Sequence, residues 1–420
     1  MSELRSLIAA ARSQRERGEP LWIATVVDVH GSSYRRPGAR MLFTAERWLA
    51  GSVSGGCLER DVVAKGPFRT RDGRARLVTY DGATDERSGS GCDGVIDVLV
   101  ERAGGDDDLT DPINLAARCL QTERPGVLFS VFRSARAEVA VGAHHALLAS
   151  GERASSLPAG ALRDQLDALA ASLLASATND CFPARSHTGT ASFARDTVAP
   201  YVEHLLGVDL LVELVLPPPH LFIFGGAHDV LPLLALAKAI GWSVCVCEPH
   251  AQLSTRAAFR DADQHLVGPV EHAVAALDGC ARPAAVIMAH HYERDLAALE
   301  ALLRSRAPYI GLLGARKRAA RLLADVESKG FALDEKARRR LHAPVGLALG
   351  AESPQEIALS IVAEIQAFCA ARARVTRGAS PTERVAVPAL SVRADRGENV
   401  YGHGHGHAYG EVDGGGEGEL

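Results

Sequence analysis

Three absences narrow the field before any motif is read. The chain lacks an excess of positive charge: 46 lysines and arginines face 51 aspartates and glutamates, a net charge of −5 over 420 residues. That balance gives no bulk attraction to nucleic acid or to an anionic membrane surface. Long apolar runs are also missing, so no segment is expected to span a bilayer. Met1 to Arg12 holds no basic stretch followed by a signal-type apolar core, and cytoplasmic placement is expected. The eight cysteines include no Cys-x-x-Cys pair, which removes the usual zinc spacing, and they are scattered through a long chain without a secretory context, which argues against a disulfide framework. Cys119, Cys181, Cys280 and Cys369 have no polar motif around them and read as structural, while Cys245 and Cys247 alternate within an apolar strand.

Hydrophobic patterning and turn residues suggest an α/β protein in several parts. Leu4, Leu7, Ile8 and Ala11 share one face of an opening helix. Strands are expected at 21–29, 41–44, 77–80 and 95–101, and these segments make a first, α+β domain over residues 1–102. A connecting α+β segment over 103–219 starts with an acidic linker. It should hold a helix at 113–120, paired strands at 126–132 and 137–141, a helix at 161–175 and a strand at 205–216. His144-His145 tempts as a metal pair, but adjacent residues point apart on either a helix or a strand, and a turn is expected. Residues 220–371 alternate strand and helix as a doubly wound parallel-sheet domain does. Residues 372–420 are Gly- and His-rich and are expected to be disordered.

The first domain carries the chemistry. Gly51-Ser-Val-Ser-Gly-Gly-Cys-Leu-Glu59 sets three glycines and two serines before one cysteine at a predicted helix start. Glycine permits a tight turn and close backbone approach. A thiol at a helix amino terminus is favoured as thiolate, and free amides there suit an anion. Cys57 is therefore a candidate thiolate beside a bound anionic group, with Gly55 and Gly56 supplying amides; the same pattern also suits a small buried cysteine. Gly31-Ser-Ser-Tyr-Arg-Arg-Pro-Gly-Ala-Arg40 adds the hydroxyls of Ser32 and Ser33 and the guanidinium forks of Arg35, Arg36 and Arg40, which suit phosphate. A second Gly-Cys turn places Cys92 in a comparable loop.

In the parallel domain a strand runs into Gly225-Gly-Ala-His-Asp229, and Glu248 ends the next strand about twenty residues on, the spacing of a dinucleotide-binding unit. Gly225, Gly226, His228 and Asp229 line the turn, and Glu248 could hold a ribose. Ala227, however, stands where glycine would admit a pyrophosphate, so NAD(P) is the weaker alternative. Later loops bring His290, His291, Asp295, Arg316, Lys317 and Arg318 to strand ends.

These motifs resemble the XdhC/CoxI family, accessory proteins of molybdenum hydroxylases such as xanthine dehydrogenase. The likeness lies in residues 31–41 and 51–59 and in Gly91-Cys92. It continues through Ile223-Phe-Gly-Gly-Ala-His-Asp229, 289–295, 309–316 and 342–357. It implies an N-terminal XdhC-type α+β domain followed by a Rossmann-like domain. It further implies a chaperone, rather than a turnover enzyme, that binds molybdenum cofactor (molybdopterin), assists its sulfuration and inserts it into an apo molybdenum hydroxylase. A cysteine desulfurase would be a second partner, and a homodimer is possible. Cys57 would be the thiolate facing the soft metal, with Cys92 second; Asp93 after Cys92 departs from the family's small residue there. His290 and its neighbours would form a second wall for the pterin. Two other functions compete: an NAD(P)-dependent oxidoreductase using the Rossmann-like domain, and metal handling by His403, His405 and His407 of the tail.

Overall fold

Residues 2–82, 94–105, 107–179, 200–250, 258–331 and 333–371 are described by the computed structural model. The chain opens with α1 (Ser2–Glu16), β1 (Trp22–His30), β2 (Arg40–Phe43) and β3 (Trp48–Gly51). α2 (Glu59–Arg69), β4 (Arg76–Asp81) and β5 (Val95–Arg102) follow. The strands form an antiparallel sheet in the order β3-β2-β1-β5-β4. β1 is buried on both faces because each has its own cover. Ala24 and Val26 pack with Phe43, Leu58, Val62 and Val98, whereas Ile23 joins Leu7 and Ala11 of α1.

A second antiparallel sheet is built from β6 (Gly126–Ser134), β7 (His144–Leu148), β8 (Arg153–Ser155), β9 (Tyr201–Leu205) and β10 (Val208–Val215), with α3 (Pro112–Thr122) and α4 (Ala161–Asn179). Its order is β8-β7-β6-β10-β9. α3 starts after Asp111, whose carboxylate accepts from the amides of Ile113 and Asn114 and so satisfies the helix's open donors. Three expectations need correction here. Residues 137–141 form turns instead of a strand. The 205–216 strand is a hairpin, bent at Leu206 and Gly207, both with positive φ. His144-His145 begins β7 and is not a turn. Strand alternation sends the His144 ring to Ser130 Oγ (2.9 Å) and Glu101 Oε2 (2.7 Å), and the His145 ring to Asp167 Oδ1 (3.1 Å). Burying two imidazoles in a strand is tolerable because each has a polar partner.

The two antiparallel sheets meet through Val27, Leu99, Phe132 and Leu211. Around this apolar patch run the ion pairs Arg40–Glu213, Arg133–Asp97 and His144–Glu101.

The third sheet is wholly parallel. In chain order its elements are β11 (His220–Phe224), α5 (Val230–Ala239), β12 (Ser243–Glu248), β13 (Gln264–Val267), α6 (Val270–Asp278) and β14 (Pro283–Ile287). Then come α7 (Tyr292–Arg304), β15 (Ile310–Leu312), α8 (Arg316–Ser328), α9 (Glu335–Arg340), β16 (Leu341–His342) and α10 (Pro354–Ala371). The strand order β13-β12-β11-β14-β15-β16 is that of a Rossmann sheet, with its reversal between β11 and β14. Phe222 and Phe224 face a core shared with α6, α7 and α8, whereas Leu221 and Ile223 face α5 and α10. Cys245 and Cys247 lie on one face with sulfurs 3.7 Å apart, as their alternation predicts. At the start of α10, Ser353 Oγ accepts from the Glu356 amide while the Glu356 carboxylate accepts from the Ser353 amide, a capping box. The expected class, antiparallel α+β first and a doubly wound parallel sheet second, is the observed one. No helix among the described residues is long and apolar enough to cross a membrane.

Candidate functional site

The cysteine turn is built around Glu59, an acid not among the candidate residues read from the sequence. Its carboxylate accepts the hydroxyls of Ser52 (2.7 Å) and Ser54 (2.6 Å) and the amides of Val53 (3.0 Å), Ser54 (2.9 Å), Gly55 (3.2 Å) and Gly56 (2.9 Å). Burial alone would raise its pKa, but the Ser54 and Ser52 hydroxyls and the backbone donors outweigh that and hold it at about 2. The expectation of free amides is thereby corrected: the donors of Gly55 and Gly56 are filled from within the chain. The signal was present as the first acid of the following helix, where a carboxylate reaches back to the turn amides.

With the amides taken, the turn presents its outer surface. Gly55 and Gly56 have φ of 94° and 131°, a backbone that side chains rarely adopt. A Cβ on Gly56 would meet nothing within 4 Å, so open space lies over the turn. Cys57 is exposed, which excludes the buried-cysteine alternative. It lies one residue outside the cap of α2, which is Leu58.

The Arg/Ser loop adjoins this turn. Arg35 Nε donates to the Ser52 carbonyl (3.0 Å), and the Arg35 guanidinium also pairs with Glu3 of α1. Ser33 Oγ bonds the Arg35 backbone, closing the loop on itself. Ser32, Tyr34 and Arg36 are exposed, and Tyr34 Cβ would lie 3.9 Å from a Cβ on Gly55. Arg36 has no ion-pair partner among the described residues. Arg40 is turned away: it opens β2 and pairs with the buried Glu213 of β10. Cys92 lies outside the described residues; Gly94, which resumes the chain, abuts the Ser32 carbonyl.

The parallel sheet gathers its candidates at the carboxyl ends of β11, β12 and β14. Gly225 is buried and Gly226 half-buried, whereas His228 is exposed. Glu248 is 4% exposed and lies so close to Gly226 that a side chain there would overlap its carboxylate. Its Oε2 is 3.0 Å from His265 Nε2. Asp229 precedes α5 without capping it; its Oδ2 lies 2.6 Å from His290 Nε2. His290 itself has φ 55°, unusual for a residue with a side chain. Asp295, fully buried, accepts from the Ala289 amide (3.0 Å) and pairs with Arg318 of α8 (2.6 Å), which secures the His290 loop. No hydrogen bond or ion pair among the described residues joins this group to the cysteine turn.

An antiparallel α+β half that displays a thiol on a carboxylate-filled glycine turn is joined to a Rossmann-ordered parallel sheet. The chain belongs to the XdhC/CoxI family: residues 14–81 match the XdhC and CoxI family and residues 221–365 match the XdhC Rossmann domain. It is 28% identical over 355 residues to a probable xanthine dehydrogenase subunit of Bacillus subtilis, covering 83% of this chain and 93% of that one. It is 32% identical over 148 residues to the Escherichia coli protein YqeB, covering 35% of this chain and 27% of that one. The crystal structure of a xanthine dehydrogenase from Bacillus halodurans superposes with a TM-score of 0.66 at 25% identity, covering 89% and 98% of the two chains.

Proposed function

We propose that this protein is an accessory factor that binds molybdenum cofactor, assists its sulfuration and delivers it to an apo molybdenum hydroxylase of the xanthine dehydrogenase type. The observation that carries the proposal is the Arg35–Ser52 hydrogen bond. It fastens the Arg/Ser loop to the cysteine turn, so that Cys57, Ser32 and Arg36 are exposed on adjoining segments.

The donor set fits such a cofactor. Arg36 has no ion-pair partner among the described residues and can take a phosphate, Ser32 offers a hydroxyl, and Cys57 a soft sulfur. When bound, the cofactor supplies a dithiolene-held molybdenum centre able to carry a terminal sulfide. Arg35, held by Glu3 and Ser52, positions the loop instead of competing for ligand. The Glu59 carboxylate keeps the turn rigid and leaves Cys57 outermost. The names of the relatives support a hydroxylase partner, and family resemblance supports a cysteine desulfurase as sulfur source. An NAD(P)-dependent oxidoreductase finds less support: Glu248, the expected ribose ligand, is buried against Gly226 and His265.

Anaerobic titration of the purified chain with molybdenum cofactor, beside Cys57→Ala and Arg36→Ala and with NADH as control, tests the reading. Saturable cofactor binding, weakened roughly tenfold or more in either variant, is the expected result. Saturable NADH binding without cofactor binding would overturn it.

A further inference from the structure

At the opposite end of the parallel sheet, three residues from distant segments converge. Glu123 caps the end of α3 with φ 54°, His220 is the first residue of β11, and Cys280 follows α6. One ligand atom from each lies within 4.8 Å of the other two. We propose that Glu123, His220 and Cys280 form a binding site for a zinc-like divalent cation, independent of the cofactor site. The five residues of β11 separate it from the Gly225 turn by roughly 16 Å at strand rise.

Geometry supports the assignment first. His220 Nε2 stands 3.2 Å from Glu123 Oε1, whereas Cys280 Sγ lies 3.5 Å from the other ring nitrogen, Nδ1, and donates to the Ala276 carbonyl (3.4 Å), so an ion held through Nε2 requires the Cys280 side chain to turn toward it. The His220 backbone is fixed by a 2.9 Å bond from its amide to the Arg282 carbonyl. Its Nε2 is enclosed yet makes no aligned hydrogen bond, despite the nearby carboxylate. A buried ring nitrogen without an aligned partner is costly, and a metal ion would satisfy it. Ligands around a tetrahedral zinc are spaced about 3.3–3.8 Å apart. The Nε2–Oε1 pair is already close to that spacing, and the remaining adjustment falls to the Cys280 sulfur, which lies within 4.8 Å of the other ligand atoms.

The chemistry of the donor set points the same way. Arg282, the nearest guanidinium in sequence, donates to the Pro217 carbonyl. A divalent cation would take the Cys280 sulfur as thiolate, releasing one proton to solvent for each ion bound. Sulfur, imidazole and carboxylate together favour zinc over magnesium or calcium, with water completing the shell. The ion would tie α3 of the second antiparallel sheet to the parallel sheet. Cys280, which the sequence alone marks as structural, would then be a ligand.

Cobalt(II) added anaerobically to the full chain tests the site, since thiolate ligation gives a sulfur-to-cobalt charge-transfer band. The histidines of the tail carry no sulfur and cannot produce it. The band should appear in the wild type and in Cys57→Ala, and vanish in Cys280→Ser and His220→Ala. Glu123→Gln, a surface change that preserves folding, should weaken cobalt binding roughly tenfold or more. Zinc should raise the melting temperature of the wild type but not of Cys280→Ser. No thiolate band in the wild type, or one that survives Cys280→Ser, overturns the proposal.

Discussion

His290 Nε2 lies 2.6 Å from Asp229 Oδ2, and that contact bridges β11 and β14 where the strand order of the parallel sheet reverses. Ligands of doubly wound sheets bind at this crevice. Asp229 gives its carboxylate to His290 and not to the α5 amides, so the pair contributes little to the helix. Asp229→Asn is expected to change stability by less than about 1 kcal/mol, since His290 is largely exposed. Cofactor affinity should fall severalfold if the crevice forms part of the site. Calorimetric titration beside a thermal melt separates the two effects; unchanged affinity would remove the crevice from the site.

Glu59 should matter most to the integrity of the cysteine turn. Its folded-state pKa of about 2 lies below the ordinary 4.5. The stabilisation is therefore fully present above about pH 5 and is lost as the pH falls through 4.5 toward 2. Glu59→Gln should cost on the order of 2–3 kcal/mol at neutral pH. Urea unfolding of both proteins across this range should show the gap closing as acid is added. A gap independent of pH would place the effect in packing instead of charge.

Gly226 has no room for a side chain because Glu248 occupies the space over it. Gly226→Ala should cost about 1–3 kcal/mol by forcing Glu248 off His265. Combining it with Glu248→Ala should recover part of that loss, since the obstacle is then gone. Melting temperatures of the two single variants and the double variant decide the matter, and strict additivity would refute the steric account.

Arg40 and Glu213 form a buried ion pair between the two antiparallel sheets. Arg40→Met leaves a carboxylate buried without its partner and should cost about 3–5 kcal/mol. Adding Glu213→Leu should restore most of the stability, because a pair of apolar side chains suits the same enclosed space. Denaturant midpoints measure both steps. If Arg40 served the cofactor instead, its loss would lower cofactor affinity with little change in midpoint.

Local patterns made much of the protein legible. Alternating and fully apolar runs marked the strands, and the 220–248 unit declared a Rossmann sheet. The errors fell where a local pattern had two solutions. Ala137-Glu-Val-Ala-Val141 alternates as a strand does, but forms turns between β6 and β7. His144-His145 is expected as a turn, but it opens β7, with Glu101, Ser130 and Asp167 as partners for its two rings. At the site, the loop and turn were visible as Gly, Ser, Arg and Cys clusters, but their internal bonding was not.

Sequence alone was enough for the fold class, the family and the segments that carry polar chemistry, because these depend on short-range periodicity and motif spacing. Only the tertiary structure decided which polar groups remain available to a ligand. The amides of Gly55 and Gly56 go to Glu59, Arg40 to Glu213, and Glu248 to His265, whereas Arg36 and Cys57 stay exposed. Glu123, His220 and Cys280 lie far apart in the chain and meet only when α3 packs near the foot of β11. Buried polar groups must find partners, and the partner is set by three-dimensional proximity, which spacing along the chain does not encode.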